Sequence, residues 1–94
     1  MRWPGHVPAG RTSNDIMHVT DWFTTLVAVA GARLPEDRII DGVNQMDWLT
    51  GAAEESSREG YLYWMGPELY GAKWRNFKLV LIDQRYMTDP QARL

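Results

Sequence analysis

Six consecutive residues near the C-terminus, Phe77-Lys78-Leu79-Val80-Leu81-Ile82, include five apolar side chains. Alternate residues of a strand face opposite sides. Phe77, Leu79 and Leu81 therefore share one face, while Val80 and Ile82 make the other apolar as well. A strand of this kind is covered on both sides. A chain of 94 residues is enough for one small domain, which buries about 60–65% of its unfolded surface. Covering both faces of a sheet takes more protein than that.

The other elements are read from periodicity and punctuation. Trp22, Phe23, Leu26, Val27 and Ala30 recur at helical spacing and predict a helix over 21–30 with these residues on its buried face. Thr20 or Asp21 is suited to begin it, and Gly31 to end it in a left-handed cap, with Pro35 beyond. On this reading Trp22 is buried and Thr24 points away. Residues 2–12, with Pro4-Gly5 and Pro8-Ala9-Gly10, read as a strand end followed by turns. The stretch 32–60 is mostly irregular. In it Ile39, Ile40 and Val43 are candidate buried points, Met46, Trp48 and Leu49 one helical turn ended by Gly51, and Glu54–Arg58 a polar exposed run. The last third predicts antiparallel strands over Tyr61–Met65, Leu69–Trp74 and Phe77–Ile82. Gly66-Pro67 breaks the first from the second. Arg75-Asn76 forms a two-residue hairpin turn in which Asn tolerates positive φ. No repeat or low-complexity tract is present.

Composition excludes several classes. Apolar residues make up 45% and charged residues 23%, which argues against disorder. The formal net charge of −2, with both signs scattered, gives no basis for a nucleic-acid or membrane-surface partner. Cysteine is absent, which removes disulfides, thiolate metal sites and cysteine nucleophiles. The longest apolar stretch, Leu26–Ala30, is too short to span a bilayer. Met1-Arg2-Trp3-Pro4-Gly5 has no apolar run behind its charge, so no export signal is expected within this chain. The compartment is left open.

Several residue groups are weighed as sites. Asp15, Asp21, Asp41 and Asp47 lack the converging spacing that a hard cation with six or more oxygen ligands needs; a cap for Asp21 and turn bonding for Asp41 are expected instead. His6 and His18 have no partner at i+3 or i+4 and read as surface or packing residues. Trp3, Trp22, Trp48, Trp64 and Trp74 read as core or interface rings. Lys73, Trp74, Arg75, Phe77 and Lys78 interleave base and ring as a single-strand nucleic-acid platform does, but in an acidic chain they read as a hairpin with solvated charges. Lys73 or Arg75 is suited to touch a sulfated ligand by charge. No phosphate loop or nucleophile elbow is present.

In order along the chain, these pieces resemble the sulfatases, the arylsulfatase-type sulfuric ester hydrolases. The segment Arg2-Trp3-Pro4-Gly5-His6-Val7-Pro8-Ala9-Gly10 is similar to a family strand end that turns at Pro-Gly. Asp21-Trp22-Phe23-Thr24-Thr25-Leu26-Val27-Ala28-Val29-Ala30-Gly31 is similar to the family's D-x-x-P-T-L-x-x-x-A-G helix, with Thr24 where Pro is frequent. Leu34-Pro35-Glu36-Asp37-Arg38, Ile40-Asp41-Gly42-Val43-Asn44 and Leu49-Thr50-Gly51 follow the family's L-P, D-G and L-x-G stretches. Ser57-Arg58-Glu59 before Tyr61-Leu62-Tyr63-Trp64 looks like P-R-E before an aromatic strand. Ala72-Lys73-Trp74-Arg75-Asn76-Phe77-Lys78-Leu79 is similar to the hairpin A-x-R-x-x-x-W-K-L. The resemblance covers residues 2–82.

What the resemblance implies is an α+β chain of one helix plus a small antiparallel sheet, drawn from the C-terminal part of an α/β, alkaline-phosphatase-like fold. Residues 1–55 would end the α/β domain, and 56–94 would belong to the C-terminal sheet subdomain. The parent would hydrolyse sulfate esters through formylglycine and calcium. Formylglycine arises from Cys or Ser in a Cys/Ser-x-Pro/Ala-x-Arg motif, which does not follow Ser13, Ser56 or Ser57. The family's calcium and sulfate ligands lie upstream of the matched region, so no catalytic, cofactor-binding or metal-binding residue is assigned to this chain. The expected partner is the N-terminal catalytic part of the same polypeptide. Family members are often secreted, periplasmic or lysosomal. The alternative reading is a stand-alone, non-catalytic α+β binding or interaction module.

Overall fold

A computed structural model describes residues 1–81. The expected strand position at Ile82, and everything after it, lies outside the described residues. The chain divides into two compact units, Met1–Glu59 and a second beginning at Gly60.

The first unit holds α1 (Asp21–Val29) and α2 (Met46–Thr50). The glycine expected to stop α1 does so: Gly31 has φ +66°, its N–H donates to Ala28 O at 3.0 Å, and Ala32 N–H donates to Val27 O at 3.0 Å. These are the two bonds of a Schellman cap, which satisfies carbonyls the helix leaves open. α2 is the single helical turn expected around Trp48. Asn44 Oδ1 accepts from Met46 N–H at its start, and Gly51, φ +85°, closes it. Arg11 donates to Trp48 O and, at 3.4 and 3.3 Å, to Ala53 O and Glu54 O, binding the end of α2 to the N-terminal segment. That segment corrects the expected strand end. Residues 3–7 form a turn, with Trp3 O accepting from both His6 and Val7 N–H, and among the described residues no strand pairs with them.

The inward face of α1 is also opposite to the expected one. Asp21, Thr24 and Thr25 are buried, whereas Trp22, Phe23, Leu26 and Val29 are exposed. The reason lies in the segment after Asp41, which crosses α1 in extended form and carries N–H groups in need of acceptors. Asp21 Oδ1 accepts from Val43 N–H at 2.8 Å and Thr25 Oγ1 from Gln45 N–H at 3.0 Å. Residues i and i+4 of a helix lie about 6 Å apart along its axis and residues i and i+2 of an extended chain about 6.6 Å, so two side chains serve two alternate N–H groups. Gly42 permits the approach: a Cβ there would stand 2.3 Å from Thr20 O and 2.5 Å from Thr24 Oγ1. Ile39, expected to be buried, is 93% exposed, while Ile40 and Val43 are half-buried.

The second unit is a three-stranded antiparallel sheet in the order β1 (Gly60–Met65), β2 (Glu68–Trp74), β3 (Phe77–Val80). Gly66-Pro67 and Arg75-Asn76 are the two-residue connections, closed by the pairs Met65↔Glu68 and Trp74↔Phe77. In the second turn it is Arg75, φ +47°, and not Asn76, that takes the left-handed conformation, at a cost of about 1–2 kcal/mol. Tyr63 pairs with Gly71 but Trp64 with Leu69, which leaves Tyr70 as the extra residue of a bulge. The pairs Leu62↔Ala72↔Leu79 and Gly60↔Trp74↔Phe77 put Leu62, Trp74, Phe77 and Leu79 on one face, with Trp64 and Leu81 by alternation. All six are exposed, Phe77 by 79%.

The polar side of α1 should therefore govern the stability of the first unit. Thr25→Val strands the buried Gln45 N–H and is expected to cost about 1–3 kcal/mol. Leu26→Ala removes an exposed side chain and is expected to stay within about 0.5 kcal/mol. Urea midpoints at one low protein concentration check the order; a larger loss for Leu26→Ala would restore the apolar inward face.

Candidate functional site

The first unit is organised around one carboxylate. Asp21 is fully buried. Its Oδ2 accepts from His18 N–H at 2.8 Å and its Oδ1 from Val43 N–H at 2.8 Å. Arg58 Nε lies 2.9 and 2.7 Å from the two oxygens, and Arg58 Nη2 2.5 Å from Oδ1. Arg58 Nη2 also donates to Asp41 O at 2.8 Å. Four stretches of chain thus meet at one ion pair: the link before α1, α1 itself, the crossing segment and residues 56–58. Burial acts to raise the Asp21 pKa, but the Arg58 hydrogen bond, the Val43 and His18 N–H groups and the guanidinium charge outweigh it and hold it at about 2. The same contact raises Arg58 above the usual arginine range.

A second polar knot lies beside it. Gln45 is fully buried, and its Oε1 accepts from Ser56 Oγ and Ser57 N–H, both at 3.1 Å. Ser56 Oγ also lies 2.5 Å from Ile16 O, so its single proton is shared between the two acceptors, and Asp15 Oδ2 accepts from Ser56 N–H at 3.2 Å. The run Glu54–Arg58, expected to be exposed, is therefore partly drawn inward: Ser56 is half-buried and the Arg58 side chain is only 12% exposed. Its serines meet Gln45 Oε1 and its arginine meets Asp21. Every buried side chain in the first unit is polar, and no hydrophobic side chain is buried among the described residues.

The weighed site residues fall into separate places. Asp21 is the ion-pair carboxylate, not a helix cap, and Asp15 serves Ser56. His6 stacks on Trp3, with ring centroids 4.1 Å apart and planes at 11°, and His18 Nδ1 lies 2.9 Å from Thr20 Oγ1. Among the described residues no group of three or more His, Asp or Glu side chains converges as metal ligands do. A cleft of about 480 Å³ is lined by Trp3, Val7, Pro8, Arg11, Trp48 and Leu49. It is largely apolar, and its Arg11 guanidinium is already engaged by the end of α2. In the second unit Arg75 lies 5.8 Å from the Trp74 ring and Lys78 5.4 Å from the Tyr63 ring. The first unit thus presents polar clasps rather than nucleophiles. Sequence reasoning missed the Asp21–Arg58 pair because its members are 37 positions apart. The only local signal was an acid opening an apolar helix and an arginine in a polar run.

The comparisons fit this picture. The chain is 34% identical to human arylsulfatase D over 89 residues, which cover 95% of this chain and 15% of that protein. It is 36% identical to mouse steryl-sulfatase over 76 residues, 81% of this chain and 12% of the relative. With human N-acetylgalactosamine-6-sulfatase the identity is 49% over 47 residues, half of this chain and 9% of that protein. The chain belongs to the sulfatase family. No protein-family model matches it. This sulfatase segment spans between about a tenth and a sixth of the length of these relatives. Among the described residues no helix is long and apolar enough to cross a membrane.

The ion pair has a pH signature. The Asp21 pKa is lowered from 3.8 to about 2 on folding, so its contribution is complete above pH 3.8 and is lost as pH falls through 2. Its size is about 2 kcal/mol. Urea midpoints of the sulfatase segment should drop over that window, and Asp21→Asn should flatten the drop. Arg58→Ala leaves a buried carboxylate uncompensated and is expected to cost about 3–5 kcal/mol at neutral pH. A midpoint unmoved by Arg58→Ala would show that the clasp does not hold the unit.

Proposed function

We propose that this chain is the part of a sulfatase that packs beside the catalytic half, within an α/β, alkaline-phosphatase-like parent that hydrolyses sulfate esters. The observation that carries the reading is the inverted distribution of polarity. Asp21, Thr24, Thr25 and Gln45 are buried, while Trp22, Phe23 and Leu26 of α1 and six large apolar side chains on one sheet face are exposed. Full burial of one such side chain is worth about 1.5–3 kcal/mol. Left in water, these residues forgo a sum comparable with the whole stability of a domain, about 5–15 kcal/mol. Both faces suit coverage by further sulfatase polypeptide, and relatives six or more times the length of this chain are similar to it across most of its residues.

In that parent the chemistry would belong to a formylglycine nucleophile and a calcium ion. Those groups would be supplied by the catalytic half. The described residues fit neither: no cysteine stands in the chain, and no acidic or histidine cluster suited to a metal is present among them. The contribution of this segment would be to hold α1 and its loops rigid, through Asp21 and Arg58, and to flank the substrate cleft with the hairpin of β2 and β3.

Two measurements test the proposal. The isolated chain, with or without calcium, should not turn over a chromogenic aryl sulfate. It should also self-associate in size-exclusion chromatography and bind a hydrophobic dye. Steady turnover that survives repurification would place catalysis within these residues and overturn the division of labour. A monodisperse monomer with a sharp melt and no dye binding would show that the apolar faces need no further polypeptide.

A further inference from the structure

The other face of the sheet carries a different pattern. The register sets Lys73 directly opposite Lys78 on β3 and Tyr61 on β1, and sets Tyr63 opposite Gly71 in the next row. Two like charges placed across from each other destabilise a sheet. Among the described residues neither lysine has a carboxylate within ion-pair distance. Glu68, paired with Met65 on the same face, stands four strand positions from the lysine row along β1, about 13 Å away. The Tyr61 and Tyr63 hydroxyls are 2.8 Å apart. Either hydroxyl can donate to the other, and the hydrogen bond to Tyr63 and then burial raise the Tyr61 phenol above its ordinary range. Gly71 is buried beneath the Tyr63 ring, where a Cβ would approach Tyr63 Cδ2 to 3.6 Å and Leu79 O to 2.5 Å. The Lys78 ammonium lies 5.4 Å from the centroid of that ring. Two lysines and the Tyr63 hydroxyl thus share one face of the sheet.

We propose that Lys73, Lys78 and Tyr63 form a binding site for a small oxyanion carried by a ligand. An anion between the lysines would offset their repulsion and accept charge-assisted hydrogen bonds, which are roughly twice as strong as neutral ones. Sulfate, phosphate and carboxylate groups share this chemistry. The site rests on the register of the sheet and not on the sulfatase reading.

Equilibrium dialysis of the full chain tests it, because uptake is read whether the chain is a monomer or self-associated. Labelled sulfate, phosphate and acetate are compared at constant ionic strength against a chloride background, and the anion retained identifies the source. Saturable uptake of one oxyanion per chain is expected. Lys73→Gln or Lys78→Gln should weaken it at least about ten-fold, and Arg38→Gln, which removes the same charge from the first unit, by less than about two-fold. Lys78→Arg should retain uptake, and Tyr63→Phe, which keeps the ring and loses only the hydroxyl, should weaken it. Far-UV circular dichroism verifies that each variant keeps the sheet. No saturable uptake of any of the three anions, or equal losses in Arg38→Gln and Lys78→Gln, would overturn the site. So would undiminished uptake in both Tyr63→Phe and a folded glutamine variant.

Discussion

Asp21 carries its charge with no access to water, and the rest of the first unit follows from how that charge is met. A buried carboxylate is tolerated only if hydrogen bonds and an opposite charge replace its hydration. Here the replacements come from three stretches of chain: His18 N–H, Val43 N–H, and the Arg58 fork, which also holds Asp41 O. Loss of any one donor leaves the others facing an incompletely solvated anion. The loops are thereby fixed to α1 without a hydrophobic core of their own.

This arrangement explains why α1 turns its polar side inward. The crossing segment brings backbone N–H groups, and an apolar helix face has nothing to offer them. Asp21 and Thr25, one turn apart, match the repeat of an extended chain, and Gly42 lets that chain approach closely. Gln45 extends the same logic to Ser56 and Ser57. The apolar face is left exposed, in a segment whose relatives are several times longer.

The sheet divides its chemistry between its two faces. One carries the exposed Leu62, Trp74, Phe77 and Leu79. The other carries two tyrosines and two lysines. The bulge at Tyr70 separates the aromatic end near the first turn from the regular ladder that aligns Lys73 with Lys78. In the second turn the strained Arg75 lies beside the Trp74 ring. That contact offsets part of the backbone cost.

Local order was legible in the sequence. The helix over 21–30, its stop at Gly31, the turn of helix ended by Gly51, the three strands, the break at Gly66-Pro67 and the two-residue turn at Arg75-Asn76 all follow from periodicity and turn chemistry. Each depends on residues close along the chain. The family, too, was legible, from the order and spacing of short motifs that are weak singly. What tertiary structure alone decided is which side of each element faces inward. Helical period identifies an apolar face but not what covers it. In this sulfatase segment the polar face binds the chain's own loops, through partners 20 to 37 positions away. The same limit applies to the Lys73 and Lys78 pair. A hairpin of basic and aromatic residues is visible in one dimension, but which lysine stands across from which is a property of register, set by a turn and a bulge.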